Sequence, residues 1–100
     1  MISIYHNPNH LFDSISGIFP NINDCVHVAD VDAVFLAEAF NKTQNSDPSD
    51  WTKNDNVSVK LPGTHRSTHV GDLLVRNNEV YCIGNHGFKA DKKSSICLIN

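Results

Sequence analysis

Alternating apolar and polar residues predict that much of the chain forms β-strands. Stretches with β-branched and aromatic residues are bounded by Asn, Asp, Gly and Pro, which is typical of short strands joined by tight turns. Strands are predicted at residues 2–6, 25–29, 57–61, 73–75, 80–83 and 95–99. Asn77 and Asn78 stand between two of these strands, and because Asn tolerates positive φ they predict a two-residue hairpin turn.

Two segments have helical spacing of apolar residues instead. In residues 11–18 the apolar side chains recur every three or four positions, which predicts a short amphipathic helix that begins after Asn9. Asp30 is a typical N-cap, and the apolar residues that follow it predict a longer helix over residues 30–41. This helix presents several apolar side chains on one face, so we expect Phe35 to lie in the core.

Together these elements predict a single α+β domain that spans residues 1–100, because a chain of 100 residues builds one small core. Residues 1–41 form a strand and helix part, residues 42–56 a long polar loop, and residues 57–100 a mainly β part. We expect one or two helices to pack on a small antiparallel, partly curled sheet.

The polar loop at residues 42–56 contains one large apolar side chain, that of Trp51. A loop of this length in a compact domain is typically mobile or functional. Two interpretations of Trp51 stay open at this point. The side chain either fixes the loop to the domain through its large apolar surface, or faces a binding partner, since tryptophan is enriched at binding hot spots.

The composition excludes several classes of protein. Eight Lys and Arg against eleven Asp and Glu give a net charge of −3, which argues against a protein that coats nucleic acid non-specifically. No apolar run is long enough to span a membrane, so no membrane partner is predicted. The first residues lack the pattern of a secretory signal, and three cysteines without a CxxC pair suggest reduced thiols, as in a cytoplasmic protein.

Some cysteines and histidines are spaced as metal ligands often are. These are Cys25-x-His27, His65-x3-His69 and Cys82-x3-His86. Zinc needs four such side chains in tetrahedral geometry, and the Ser-Thr stretch between His65 and His69 does not predict the helix on which an HxxxH pair would converge. The sequence therefore predicts no metal site and no cofactor, and the histidines are interpreted as surface or half-buried residues.

Residues 64–75 form the most distinctive stretch of the sequence. Gly71 permits a turn conformation closed to most residues, and Asp72 can support that turn by accepting a backbone N–H, so this stretch predicts a turn before the hairpin. Ser67 and Thr68 tend to interrupt regular structure before it. The candidate binding residues are Trp51, His65, Arg66, Ser67, Thr68, His69 and Asp72.

The same stretch carries a resemblance to a known family. Arg66-Ser67-Thr68-His69-Val70-Gly71-Asp72 is followed by the predicted hairpin and then by Gly87-Phe88. This order resembles the YodL-like proteins of phages, plasmids and other mobile elements, which have a related Arg-Ser-x-Ser-Val-Gly-Asp pattern. The resemblance covers about residues 57–88. It implies a mobile-element origin and the cytoplasm of a bacterial host, and it implies no particular reaction.

The sequence suggests three candidate functions. The first is a non-enzymatic accessory protein of a phage or mobile element that binds and modulates a host protein. Residues 1–41 contain five acidic residues and no Lys or Arg, so an acidic patch there could occupy a basic groove on a partner. The second is a small nucleic-acid-binding module that uses residues 60–76. The third is a small enzyme in which Arg66 binds an anion and His65 or His69 transfers protons near Ser67.

Overall fold

The computed structural model describes residues 1–46 and 50–91, and within them the predicted α+β fold is confirmed. The strand predicted at residues 95–99 lies outside the described residues, as do Cys97, Lys92 and Lys93. Within the described residues, six antiparallel strands form one sheet in the order β3-β2-β1-β4-β5-β6, and its two outer strands do not pair with each other. The strands are β1 (Ile2–His6), β2 (Val26–Val31), β3 (Val57–Val59), β4 (Leu73–Arg76), β5 (Glu79–Gly84) and β6 (Gly87–Ala90). The helices are α1 (His10–Ser16) and α2 (Leu36–Lys42), with 3₁₀ turns at Ile22–Asp24 and Trp51–Lys53.

The core lies on one face of the sheet. Ile4 of β1 stands opposite Ala29 on one neighbouring strand and Leu74 on the other, so the three side chains point to the same side. Leu36 and Ala39 of α2 are buried in the same cluster, as is Trp51. The helix and the Trp51 turn therefore cover this face of the sheet.

The long helix predicted over residues 30–41 is wrong in its first half. Asp30 is not an N-cap, because β2 continues to Val31 and pairs with β1 and β3 at once. Bonds to two neighbouring strands satisfy more backbone groups than the first turn of a helix can. The helix begins only at Leu36, and Phe35 is 68% exposed rather than in the core.

The hairpin and the turn before it are confirmed. Asn77 and Asn78 have φ of 53° and 66° and join β4 to β5, as a two-residue turn of this kind requires. Gly71 has φ of 93°, and a Cβ at that position would collide with the backbone carbonyl of His10. This close approach fixes the start of α1 against the end of the turn.

Candidate functional site

The candidate residues at 65–72 are organised around an ion pair between Arg66 and Asp72. Arg66 Nη1 donates to Asp72 Oδ2 at 2.7 Å, and Nη2 donates to Oδ1 at 2.8 Å. The Asp72 side chain is fully buried, whereas the Arg66 side chain is 38% exposed. Two parallel bonds between a guanidinium and a carboxylate fix the orientation of both groups.

Backbone donors complete the surroundings of the Asp72 carboxylate. Oδ1 accepts the N–H of Asn7 at 2.8 Å, and Oδ2 accepts the N–H of His69 at 2.7 Å. The bond from His69 is the turn contact that the sequence predicts for Asp72. The bond from Asn7 joins the turn to the end of β1, so this carboxylate holds together segments 65 residues apart.

The Arg66 guanidinium has little capacity left for a ligand. Besides its bonds to Asp72, Nη1 donates to the Ser67 carbonyl at 3.0 Å and Nη2 donates to the Asn7 carbonyl at 3.2 Å. These bonds account for all four hydrogens on the two terminal nitrogens. The geometry therefore does not support Arg66 as the anion-binding group of a catalytic site.

Ser67 and Thr68 tie the segment to the loop that precedes it. Thr68 is buried, and its hydroxyl lies 3.0 Å from Nε2 of His6. Its backbone N–H donates to the carbonyl of Thr43 at 2.9 Å. The Ser67 hydroxyl accepts the N–H of Asn45 at 2.8 Å. Both side chains thus serve contacts within the fold.

Trp51 lies beneath this segment and not on the surface. Its side chain is 1% exposed, and its indole Nε1 donates to the carbonyl of Arg66 at 2.9 Å. Its ring centroid lies 6.0 Å from that of His65 and 6.1 Å from that of His6. The interpretation of Trp51 as a partner-facing residue is therefore wrong, and the alternative, that it fixes the loop to the domain, agrees with the structure.

The histidines near the segment contact different neighbours. His65 Nε2 lies 2.7 Å from the carbonyl of Leu61, whereas the His69 ring stands 5.2 Å from that of His10. Burial lowers the pKa of His6 to about 4, so this imidazole is neutral at physiological pH. Among the described residues, no three His, Cys, Asp or Glu side chains come together as a metal site would require.

The two described cysteines are poorly placed for nucleophilic chemistry. Partial burial, supported by the charge of Asp72, raises the pKa of Cys25 and that of Cys82 to about 11. Both thiols are therefore protonated at neutral pH, and a protonated thiol is a weak nucleophile. This environment does not favour either Cys25 or Cys82 as a nucleophile.

A polar cluster that the sequence did not single out lies on β1 and β2. His27 Nε2 lies 2.7 Å from Asp30 Oδ1, and Lys60 Nζ lies 3.6 Å from Oδ2. The His27 ring stacks on that of Tyr5 at 4.7 Å. Partial burial opposes the charge of Asp30, but hydrogen bonds from Ser3 and His27 outweigh it and lower the pKa of the carboxyl. Cross-strand register brings Tyr5 and His27 together, and sequence spacing alone does not reveal that register.

Several large apolar side chains are exposed on α1 and at its end. We call Leu11, Phe12, Ile15 and Ile18 the α1 face; the first three lie on the helix and Ile18 just beyond its end. All four are more than half exposed, and Ile15 reaches 85%. None of the seven residues of α1, all of them described, is buried. The predicted amphipathic helix is thus present, but its apolar side chains face solvent.

Within the described residues, no helix combines the length and the apolar character needed to cross a membrane. No family model matches the sequence, and neither the curated proteins nor the solved structures contain a match.

Proposed function

We propose that this is a small, non-enzymatic accessory protein that binds a host protein through the α1 face. The observation that carries the proposal is the exposure of four large apolar side chains, three on one short helix and the fourth just beyond its end. Exposed apolar side chains that cluster in this way are typical of protein interaction sites. Burying one such side chain against a partner contributes on the order of 2 kcal/mol, so the cluster can supply much of a binding free energy.

The setting of this interaction rests on the resemblance at residues 57–88. That resemblance implies a phage or mobile-element protein acting in the cytoplasm of a bacterial host. A protein of this kind modulates a host component by occupying its surface, which requires no reaction. The internal use of Arg66, Ser67 and Asp72 agrees with a function that does not depend on catalysis at these residues.

Nucleic-acid binding by residues 60–76 is the second candidate function. It has less support, because the Lys and Arg side chains of this segment already contact other groups of the protein. Lys60 lies 3.6 Å from Asp30, and Arg66 is paired with Asp72. Arg76 donates to the Val34 carbonyl at 3.3 Å and stands 5.3 Å from the ring of Tyr81. A phosphate would have to compete with these partners for each cation.

The proposal is tested by capturing partners from bacterial host lysate with immobilised wild-type protein and with a Phe12→Ser/Ile15→Ser variant. We expect at least one host protein to be retained by the wild type and lost by the variant, and to bind again when purified. A Val34→Ser/Phe35→Ser variant is the matched control. Those apolar residues are also exposed, but they lie at the opposite end of β1 from α1. They follow Val31, which pairs with Ile2 at the start of β1, whereas α1 follows the end of β1 at His6.

Two results would contradict the proposal. One is that the same host proteins bind equally to the wild type and to the Phe12→Ser/Ile15→Ser variant. The other is that the retained material is nucleic acid, that its retention falls steeply with added salt, and that Arg76→Ala abolishes it.

A further inference from the structure

A groove runs beside the α1 face and is large enough to receive side chains. One hollow of about 160 Å³ lies between the end of α1 and β5, where Ile18, Val70 and Ile83 line it. A second hollow of about 230 Å³ lies between residues 19–22 and Val80. Phe19 lines both hollows, so they adjoin. Ile18 of the α1 face lines the first hollow, so the groove begins at that face.

Carboxylates outnumber cations among the described residues in and beside the two hollows. Asp13 lines the first hollow, Asp91 lines the second, and Asp24 is exposed in the 3₁₀ turn that follows. Ile22 lines the second hollow, and Asp24 lies two residues after it in the same 3₁₀ turn. Among the described residues that line the hollows, Lys89 is the single Lys or Arg.

We infer that this groove takes a partner segment of a specific chemistry, an apolar stretch with Lys or Arg beside it. The inference rests on the proposed function and adds the chemistry of the partner. Apolar side chains of the segment would enter the two hollows and cover the α1 face. The cations of the segment would lie near Asp13 and Asp24. Complementary charges of this kind select the partner and accelerate its association more than they add to affinity.

The probes for this inference are fluorescein-labelled peptides, measured by fluorescence anisotropy. Two peptides share one amphipathic leucine pattern and differ in whether their polar positions are lysine or glutamate. A third keeps the lysines and has serine in place of leucine. We expect the leucine–lysine peptide to bind at least about tenfold more tightly than either of the others. The serine peptide lacks the apolar contacts, and the glutamate peptide places like charges opposite Asp13 and Asp24.

Single substitutions locate the binding on the protein. Ile15→Ser should weaken binding of the leucine–lysine peptide about tenfold or more, as for a central apolar contact. Asp24→Asn should weaken it about two- to fivefold, the range of an exposed charge pair. Asp55→Asn is the matched control, since Asp55 is an exposed acid in the turn before β3, and it should leave the affinity unchanged.

The inference is overturned if the lysine and glutamate peptides bind equally, if neither binds, or if Asp24→Asn and Asp55→Asn have the same effect. These results concern only the chemistry of the partner. The proposed function fails separately, when host-protein capture does not depend on Phe12 and Ile15.

Discussion

Arg66 and Asp72 form a two-point ion pair in which one partner is buried and the other is partly exposed. The pair closes the turn at residues 66–72, and through the bonds of both side chains to Asn7 it also fastens that turn to the end of β1. The most distinctive part of the sequence is therefore a structural connection. Its charged residues stabilise the connection between β1 and α1.

Removing the Asp72 carboxylate should destabilise the protein strongly. Asp72→Ala leaves the guanidinium without its partner and leaves the N–H groups of Asn7 and His69 without their acceptor. Loss of one member of a buried pair costs about 3–5 kcal/mol, and we expect a decrease in the free energy of unfolding within that range. Urea denaturation provides the measurement. Asp55→Ala should change the same quantity by less than about 0.5 kcal/mol, and equal effects would contradict the structural role of the pair.

Gly71 should tolerate no side chain, whereas Gly17 should tolerate a small one. Both have positive φ, so alanine at either position is strained by about 1–2 kcal/mol. Only at Gly71 does the added Cβ also meet the His10 backbone. A Cβ at Gly17 would have no described atom within 4 Å other than those of the adjoining chain. Gly71→Ala should therefore lower the melting temperature clearly more than Gly17→Ala. Similar melting temperatures for the two variants would show that the His10 contact relaxes without cost.

Replacing Trp51 by alanine should destabilise the protein much more than replacing Phe35, because Trp51 is buried and Phe35 is exposed. Trp51→Ala removes a buried aromatic side chain and its bond to the Arg66 carbonyl, so we expect a loss of about 3–5 kcal/mol. Phe35→Ala removes an exposed one and should cost less than about 0.5 kcal/mol. Urea denaturation of both variants under the same conditions measures the contrast. A larger loss for Phe35→Ala would restore the sequence-based placement of that residue in the core.

The parts of the fold that follow from local rules were predictable. The alternation in residues 2–6 predicts β1, and Asn77-Asn78 predicts the hairpin, because each depends on residues adjacent in the chain. Asp30 shows where local rules end. As an N-cap it would begin a helix, but in the sheet its carboxylate meets Lys60 from another segment. Only the pairing of the strands decides between these two roles.

The candidate site was predictable to a similar extent. The positive φ of Gly71 and the turn contact of Asp72 follow from residue type. The hydrogen-bond partners of Arg66 and Trp51 do not follow from residue type. Asn7 and the loop that carries Trp51 lie far from the turn in the sequence, and only folding brings them next to it. The exposure of the α1 face is likewise invisible to periodicity. An amphipathic pattern shows that one side of a helix is apolar and does not show what covers it.

His6 should make the stability depend on pH over a defined interval. Its pKa is 6.5 in the unfolded chain and about 4 in the fold, because burial disfavours the imidazolium. Between these values the unfolded state binds a proton that the folded state does not, so stability decreases as the pH falls from 6.5 towards 4. We expect this side chain to account for a loss of about 3 kcal/mol. Asp30, whose pKa is lowered, adds its own loss at the acidic end of this interval and below it, because the unfolded carboxyl takes up its proton around pH 3.8.

The measurement is urea denaturation at several pH values for the wild type and for His6→Gln, which keeps a polar group near Thr68 and does not titrate. The free energy of unfolding of the wild type should fall more steeply over the interval than that of the variant. Thr68→Val is a second variant, because it removes the hydroxyl beside His6 and leaves the imidazole buried. It should lower stability at every pH and keep the steep dependence. Parallel pH profiles for the wild type and His6→Gln would show that the buried imidazole is not the group that titrates.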